Sequence, residues 1–354
     1  MDEEVKIARP FSVLSFPRGT EGSTGPSGPA HAGTWGLIVE QSAFWPFMRA
    51  DSVLSLLAGE RSVPLPGGPD HLERCLLPSA YVGALRGGTT RLPARPGLPA
   101  ADTRAALTDV LDGVETMARA EGLRSIACLY LPGEDLIGRE VLAGNGYYCF
   151  GLAHYVAVLR VTSFADYLAG LSKGRRDNLR SERKKIARAG VEIAVEPLSA
   201  QLSEQMLPLE AQLYHKYGHE THPTEMARIL HHAVIDAFGG DAPVITARAG
   251  GVLRGYAAFI RAGATLYSRD VGFDYTWEER LPLYFDLLFY RAVELAERLG
   301  ASEINYSYAS EQTKVSHGCE LLPRVGYVKP LDPRFEAELS VLCGEIAAAG
   351  DPVG

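Results

Sequence analysis

Apolar positions recur along this chain with two periods, and the periods separate helices from strands. Between Ala101 and Ala120, Leu107, Val110, Leu111, Val114 and Met117 fall at helical spacing, and Gly122 stands where a C-terminal cap belongs. A helix is predicted there. Ser125–Leu131 (SIACLYL) is a continuous apolar run of strand length, and Tyr147–Val161 predicts one or two further strands. In the second half the pattern predicts helices at Ser163–Leu171, Lys173–Ala189, Ser199–Tyr217 and Thr224–Phe238, and an alternating strand at Val191–Val195. Pro243–Ala249 and Leu253–Arg261 flank Gly250-Gly251, a pair that accepts the positive φ of a tight hairpin, and Thr265–Phe273 continues the meander. Pro282–Leu299 is then a long amphipathic helix leading into a strand at Glu303–Tyr308, and Asp332–Ala349 a last helix with Phe335, Leu339, Leu342 and Ile346 on one side.

One succession occurs twice. VETMARAEGLRSIACLY from Val114 and VELAERLGASEINYSY from Val293 each read helix, glycine stop, strand, and each is followed at nearly equal distance by a Gly-Tyr pair, Gly146-Tyr147 and Gly326-Tyr327. This points to an internal duplication. Strand, hairpin, strand, helix, strand is the order of a GNAT-type acyltransferase. The expected fold class is α/β (α+β), two tandem GNAT-like domains with mixed, splayed β-sheets flanked by helices. Residues 18–34 (RGTEGSTGPSGPAHAGT) and 86–99 are dense in Gly and Pro, a composition that cannot bury enough apolar area to offset backbone ordering. The expected organisation is a flexible segment at 1–35, a first domain at 36–162, a second at 163–331, and a C-terminal helix and tail at 332–354.

Composition narrows the class. With 354 residues, 46% apolar and 22% charged, the chain is a globular protein of two domains' length, and disordered, collagen-like and disulfide-stapled chains are excluded. Five scattered cysteines without a CxxC pair argue against structural zinc. No run of apolar residues is long enough for a membrane span, and the acidic start lacks a signal peptide's apolar core, so a cytoplasmic protein is expected. A net charge of −8 opposes nucleic-acid binding over the whole surface but leaves room for one basic face.

Such a face exists. Lys173–Arg188 (KGRRDNLRSERKKIAR) carries eight basic residues against Asp177 and Glu182; Leu179 and Ile186 form its apolar stripe, with Arg176, Arg180 and Arg183 following at i, i+4 and i+7 beside it. Arg175 belongs to the same cluster. The guanidiniums form either a solvated face or a receptor for phosphate or carboxylate. This helix, the hairpin VITARAGGVLRGYAAF, the strand LYSRDVGF, the helix LPLYFDLLFYRAVELAERLG and the run YASEQTKVSHG together resemble the FemAB-like family of peptidoglycan-biosynthesis proteins over about Phe164 to Val328. The resemblance implies tandem GNAT-type domains and transfer of an amino acid from aminoacyl-tRNA to an amine, in cell-wall or natural-product synthesis. Its partners would be aminoacyl-tRNA and a small-molecule amine acceptor, with no resident cofactor.

Such transfer needs a neutral amine, donors for a tetrahedral oxyanion, and a proton for the leaving ribose oxygen. Tyr267, Arg269 and Asp270 share one strand, and Asp270 is a candidate to take the amine proton or hold an ammonium. Glu311 and Lys314 match the acidic and lysine positions of the family's motif, which implies Glu311 as amine ligand or base and Lys314 as a contact to phosphate or oxyanion; each is otherwise an exposed ion pair. Tyr284 and Asp286 open the long helix, Asp286 as substrate contact or as partner of the helix dipole, and Tyr306 and Tyr308 alternate toward the cleft. His215, His219, His222, His231 and His232 lack metal-ligand spacing, and a Cys319–His317 nucleophile lacks a third group. The place of an acetyl-CoA pyrophosphate loop reads DYTWEERLPLYFD, without glycine and with Glu278 and Glu279, which disfavours coenzyme A. The alternative readings are an acyl-CoA-dependent N-acyltransferase and a catalytically silent module that binds an anionic partner.

Overall fold

The computed structural model describes residues 8–15, 30–40, 49–83, 88–151, 156–218, 222–277, 281–308 and 310–350. In chain order the first half forms β1 (Ala8–Ser15), β2 (Ala32–Val39), α1 (Ala50–Glu60), α2 (Pro69–Leu76), β3 (Ser79–Val82), α3 (Ala100–Ala120), β4 (Ser125–Pro132), α4 (Leu136–Gly144) and β5 (Tyr148–Gly151). The second forms β6 (Val156–Arg160), α5 (Phe164–Gly170), α6 (Lys173–Arg188), β7 (Glu192–Pro197), α7 (Ala200–Lys216), α8 (Thr224–Phe238), β8 (Pro243–Ala249), β9 (Val252–Ala262) and β10 (Thr265–Phe273). A helix interrupted by a π-turn follows, as α9 (Leu283–Phe285), a π segment Asp286–Tyr290 and α10 (Arg291–Leu299). Then come β11 (Glu303–Asn305), α11 (Glu311–Ser316), β12 (Glu320–Leu322), β13 (Arg324–Pro330) and α12 (Glu336–Ala349).

Two mixed sheets organise these elements. One runs β1-β2-β3-β4-β13-β5, the other β12-β6-β11-β10-β9-β8-β7. In each, a single parallel pair, β3·β4 and β10·β11, is joined by a helical crossover, α3 in one and α9 to α10 in the other, while the pairs on either side are antiparallel. This is the GNAT-type arrangement, present twice around the two parallel pairs, although the first sheet has six strands and the second seven, and α1 and α2 separate β2 from β3 where β9 leads directly into β10. The parallel pair β10·β11 is in register for only three residues, Thr265–Tyr267 against Glu303–Asn305, beyond which β10 continues alone. The expected strand Glu303–Tyr308 stops at Asn305; beyond it Tyr306 and Ser307 still bond Ala157 of β6, while the Tyr306, Ser307 and Tyr308 carbonyls also accept from Lys314.

The chain divides into one unit of Met1–Val156 with Leu322–Gly354 and a second of Ala157–Leu321. A contiguous division at 162/163 with a separate tail at 332–354 does not describe it. The last strand of each half is exchanged: β6 enters the second sheet between β11 and β12, and β13 enters the first between β4 and β5. The two Gly-Tyr pairs are consequently not equivalent, since the first precedes β5 and the second lies inside β13. Residues 1–35 were expected to be flexible; β1 and the start of β2 lie within them, paired in register from Ala8↔Val39 to Ser15↔Ala32. Val13 packs on the first unit's core, an apolar contribution masked by the neighbouring Gly/Pro-rich stretch.

The first unit buries Val110, Leu111 and Val114 of α3 against Ile126 and Cys128 of β4. In the second unit one sheet face carries Leu179 and Ile186 of α6 with Leu287, Phe289 and Tyr290, and the other packs Leu202, Met206 and Leu209 of α7 on Val244, Tyr256 and Ala258. The candidate chemistry lies on the second of these faces.

Candidate functional site

β10 carries a bulge. Its register against β9 shifts between Ser268 and Asp270, so Arg269 is the extra residue and Asp270 stands opposite Ala258, on the face covered by α7 and α8. Gly272 allows α7 to come close, because a Cβ there would lie 2.5 Å from the Tyr256 ring and 3.1 Å from the Glu210 backbone nitrogen. Glu210 of α7, His231 of α8 and His222 just before α8 meet Asp270 in this space.

All four side chains are at least nine-tenths buried. His222 Nε2 is 3.6 Å from Glu210 Oε1, His231 Nε2 is 3.7 Å from Glu210 Oε2, and His231 Nε2 is 4.0 Å from Asp270 Oδ2. The far nitrogens of both rings are fixed by hydroxyls: Ser203 Oγ lies 2.8 Å from His231 Nδ1, and Thr224 Oγ1 lies 3.0 Å from His222 Nδ1. Tyr214 packs edge-on to His222 at 4.7 Å between ring centroids. Each imidazole thus turns its Nε2 toward the carboxylates at distances too long for direct hydrogen bonds. Glu210 Oε2 and His222 Nε2 complete none. Two carboxylates and two oriented imidazoles around one small space form an arrangement suited to holding an ammonium group and removing its proton. Among the described residues no group of three or more His, Cys, Asp and Glu side chains is arranged to hold a metal ion. His219, Glu278 and Glu279 lie outside the described residues.

The other residues singled out by the sequence do not join Asp270. The arginine row is helical as expected, yet it does not converge on one cleft. Arg180 is exposed and pairs with Asp177 at 3.0 Å. Arg176 donates to the Leu168 and Leu171 carbonyls, closing the end of α5. Arg183 donates to Asp286 Oδ1 at 2.9 Å and to Glu294 Oε1 at 2.7 Å, while Arg291 takes the other oxygens of the same acids at 3.3 and 3.0 Å. Asp286 is fully buried, so it is the anchor of an ion-pair network and no substrate contact. Arg175 lines a cleft of about 520 Å³ with Leu171, Ser172, Asn178, Ser316 and Gly318.

Lys314 is 5% exposed and gives its three N–H groups to backbone carbonyls, Tyr306 at 2.7 Å, Ser307 at 3.1 Å and Tyr308 at 2.6 Å. A phosphate or an oxyanion finds no free donor there, which corrects the expected role. Burial holds its ammonium down to about pKa 8. Glu311 begins α11 and is half-buried. Tyr306 is a core residue against Phe289, its phenol pushed well up by burial, and no cleft contact. Tyr284 packs edge-on to Phe273, Phe285 and Phe289, and burial raises its hydroxyl to about 12. Tyr267 is half-buried beside Ile260 and Asn305. Cys319 is pushed up to about 12 by burial and is no thiolate, and His317 is stacked between Phe285 and Phe289.

Comparison with known proteins matches the family model FemAB-like, described as peptidoglycan biosynthesis/recognition, over residues 88–349. The chain belongs to the FemAB-like family. The match reaches well into the first unit, beyond the span that the sequence motifs covered. A search of curated proteins finds no sequence match. Among solved structures, FemX is 11% identical with a TM-score of 0.59, over 94% of this chain and 90% of that one. L-PGS from Bacillus licheniformis is 12% identical with a TM-score of 0.50, over 75% and 83%. A tandem GNAT protein from the clavulanic acid biosynthesis pathway is 12% identical with a TM-score of 0.48, over 92% and 84%. The likeness to FemX extends the shared fold over both units of this FemAB-like protein. No helix among the described residues is long and apolar enough to cross a membrane.

Sequence reasoning found Asp270, weighed His222 and His231 only as metal ligands, and missed Ser203 and Glu210 around it. The signal available was a pair of histidines on either side of a helix start, His222 with Thr224 two residues on; Ser203, the partner of His231, stands 28 positions away and leaves no local trace.

Proposed function

We propose that this FemAB-like protein is an aminoacyltransferase that forms an amide bond by moving an aminoacyl group from aminoacyl-tRNA to a small amine acceptor. The observation that carries the reading is the buried convergence of Asp270, Glu210, His222 and His231 at the bulge of β10. In this reading the acceptor's ammonium binds between Glu210 and Asp270 and gives up a proton to the Asp270–His231 pair. The neutral amine then attacks the ester carbonyl, the C–N bond forms, the ester C–O bond breaks, and the leaving ribose oxygen takes a proton. Placing the acid pair in a site closed to water strengthens its hold on a cation. The chemistry requires no resident cofactor.

The test uses purified protein, tRNA charged with a radiolabelled amino acid, and a panel of primary amines that includes a peptidoglycan precursor. Labelled amide should form, vanish after ribonuclease treatment, and fall at least ~10²-fold for D270N. Transfer that survives ribonuclease or depends on acyl-CoA would refute the tRNA donor.

A further inference from the structure

On the opposite face of the second unit's sheet, polar groups gather that the cluster at Asp270 does not use. The hydroxyls of Tyr167, Tyr290 and Tyr306, Nε2 of His317 and one carboxylate oxygen of Glu182 are all buried and complete no hydrogen bond. Tyr290 and His317 are 0% exposed, Tyr306 4% and Tyr167 8%. These groups are neighbours. The Tyr290 hydroxyl lies beside the Glu182 carboxyl and the Arg175 guanidinium, Tyr167 is within electrostatic reach of Tyr290 and Arg175, and the His317 and Tyr290 rings are 5.8 Å apart. Buried polar groups without partners are rare, and several in one place call for a ligand or ordered water.

These groups adjoin the cleft at the start of α6 through two of its lining residues. Arg175 lines the cleft, and so does Gly318, where a Cβ would stand 3.8 Å from the Tyr167 ring. The guanidinium is steadied by Ser316 Oγ at 3.1 Å and lies 5.9 Å over the Phe285 ring, but among the described residues it forms no ion pair. Glu182, on the same helix, forms none either. A cation and an anion thus flank one tyrosine hydroxyl, within electrostatic reach of each other but without a direct ion pair. The acceptors are equally specific: His317 directs Nδ1 at the Thr313 carbonyl, 2.7 Å away, so that Nδ1 carries the proton and Nε2 presents a lone pair.

We propose that the α6 cleft and the buried polar groups beside it form a binding site for a free α-amino acid. Its carboxylate is received by the Arg175 guanidinium and the Gly174 N–H at the start of α6, and its ammonium by Glu182 and the Tyr290 hydroxyl. A lone anion would leave Glu182 facing it unfavourably, and a lone cation would meet Arg175; a zwitterion answers both. The site lies across the sheet from Asp270 and does not depend on what donor or acceptor that cluster takes.

Isothermal titration calorimetry and saturation-transfer NMR on the full chain, with each of the twenty standard L-amino acids as probe, test the site without an activity assay. At least one amino acid should bind saturably. Its amide, which lacks the carboxylate, and its N-acetyl derivative, which lacks the ammonium, should each bind at least tenfold more weakly. R175A and E182Q should weaken the parent by the same factor, while D270N leaves it unchanged. No saturable binding by any amino acid overturns the proposal. So does equal binding of the N-acetyl derivative or of inorganic phosphate, which would mark a plain anion site, and so does a D270N variant that loses binding as much as R175A.

Discussion

Lys314 is a buried lysine whose surroundings pull its proton affinity in opposite directions, and the balance sets a pH dependence that can be measured. Three carbonyls favour the ammonium, and removal from water disfavours it. Desolvation wins, since the folded-state value is about 8 against an ordinary 10.5. At a pH below 8 the lysine is charged in both folded and unfolded chains, and the folded state bears the whole cost of burying it. Between 8 and 10.5 the unfolded chain holds the proton more tightly, so stability rises with pH; above 10.5 both states are neutral and the gain is complete. The full gain is about 3 kcal/mol at about 1.4 kcal/mol per pKa unit, of which about 2 kcal/mol accrues between about pH 7.5 and about pH 9.5. K314M lacks the titrating group. Urea unfolding of both proteins across this range, extrapolated linearly to water, gives the wild-type minus K314M difference, in which titrating groups not coupled to Lys314 cancel; Cys319, which is coupled to it, is removed by making the comparison in a C319A background. That difference should climb with pH. A flat or falling difference would mean that the carbonyl cradle outweighs desolvation, and the assignment of cause would be wrong.

Asp286→Ala leaves Arg183 and Arg291 without the buried carboxylate between them and should cost about 3–5 kcal/mol in urea unfolding; a loss under about 1 kcal/mol would show that Glu294 alone suffices. Gly272→Ala drives a Cβ into Tyr256 and the α7 backbone, and should cost roughly 1–3 kcal/mol while lowering transfer activity through displacement of Glu210. His231→Gln and Ser203→Ala should lower the rate of transfer, the first by ~10²-fold or more and the second less, with unfolding curves close to wild type for Ser203→Ala. Arg180→Glu, on an exposed side chain, should leave stability within about 0.5 kcal/mol of wild type in thermal melts.

The second half of the fold was legible because its elements alternate cleanly between two periods. Helix Thr224–Phe238 and strands Pro243–Ala249 and Thr265–Phe273 fall where the pattern and the punctuating prolines and glycines put them. Leu179 and Ile186 announced which face of α6 is buried, and they are buried. Pattern alone could not say which sheet an apolar strand joins. β6 and β13 are mostly buried runs that would fit several neighbours, and only the assembled sheets decided that each completes the sheet of the other half. The same limit governs charge. The sequence supplied a row of arginines, but the burial of Asp286 by the π-turned helix determined that Arg183 pairs inward. Likewise, Glu210, His222, His231 and Asp270 are far apart in sequence, and a one-residue bulge together with a glycine at 272 brings them to one point. Local periodicity fixes what each segment becomes; which side chains then share a low-dielectric space depends on contacts between segments, and those exist only in the folded chain.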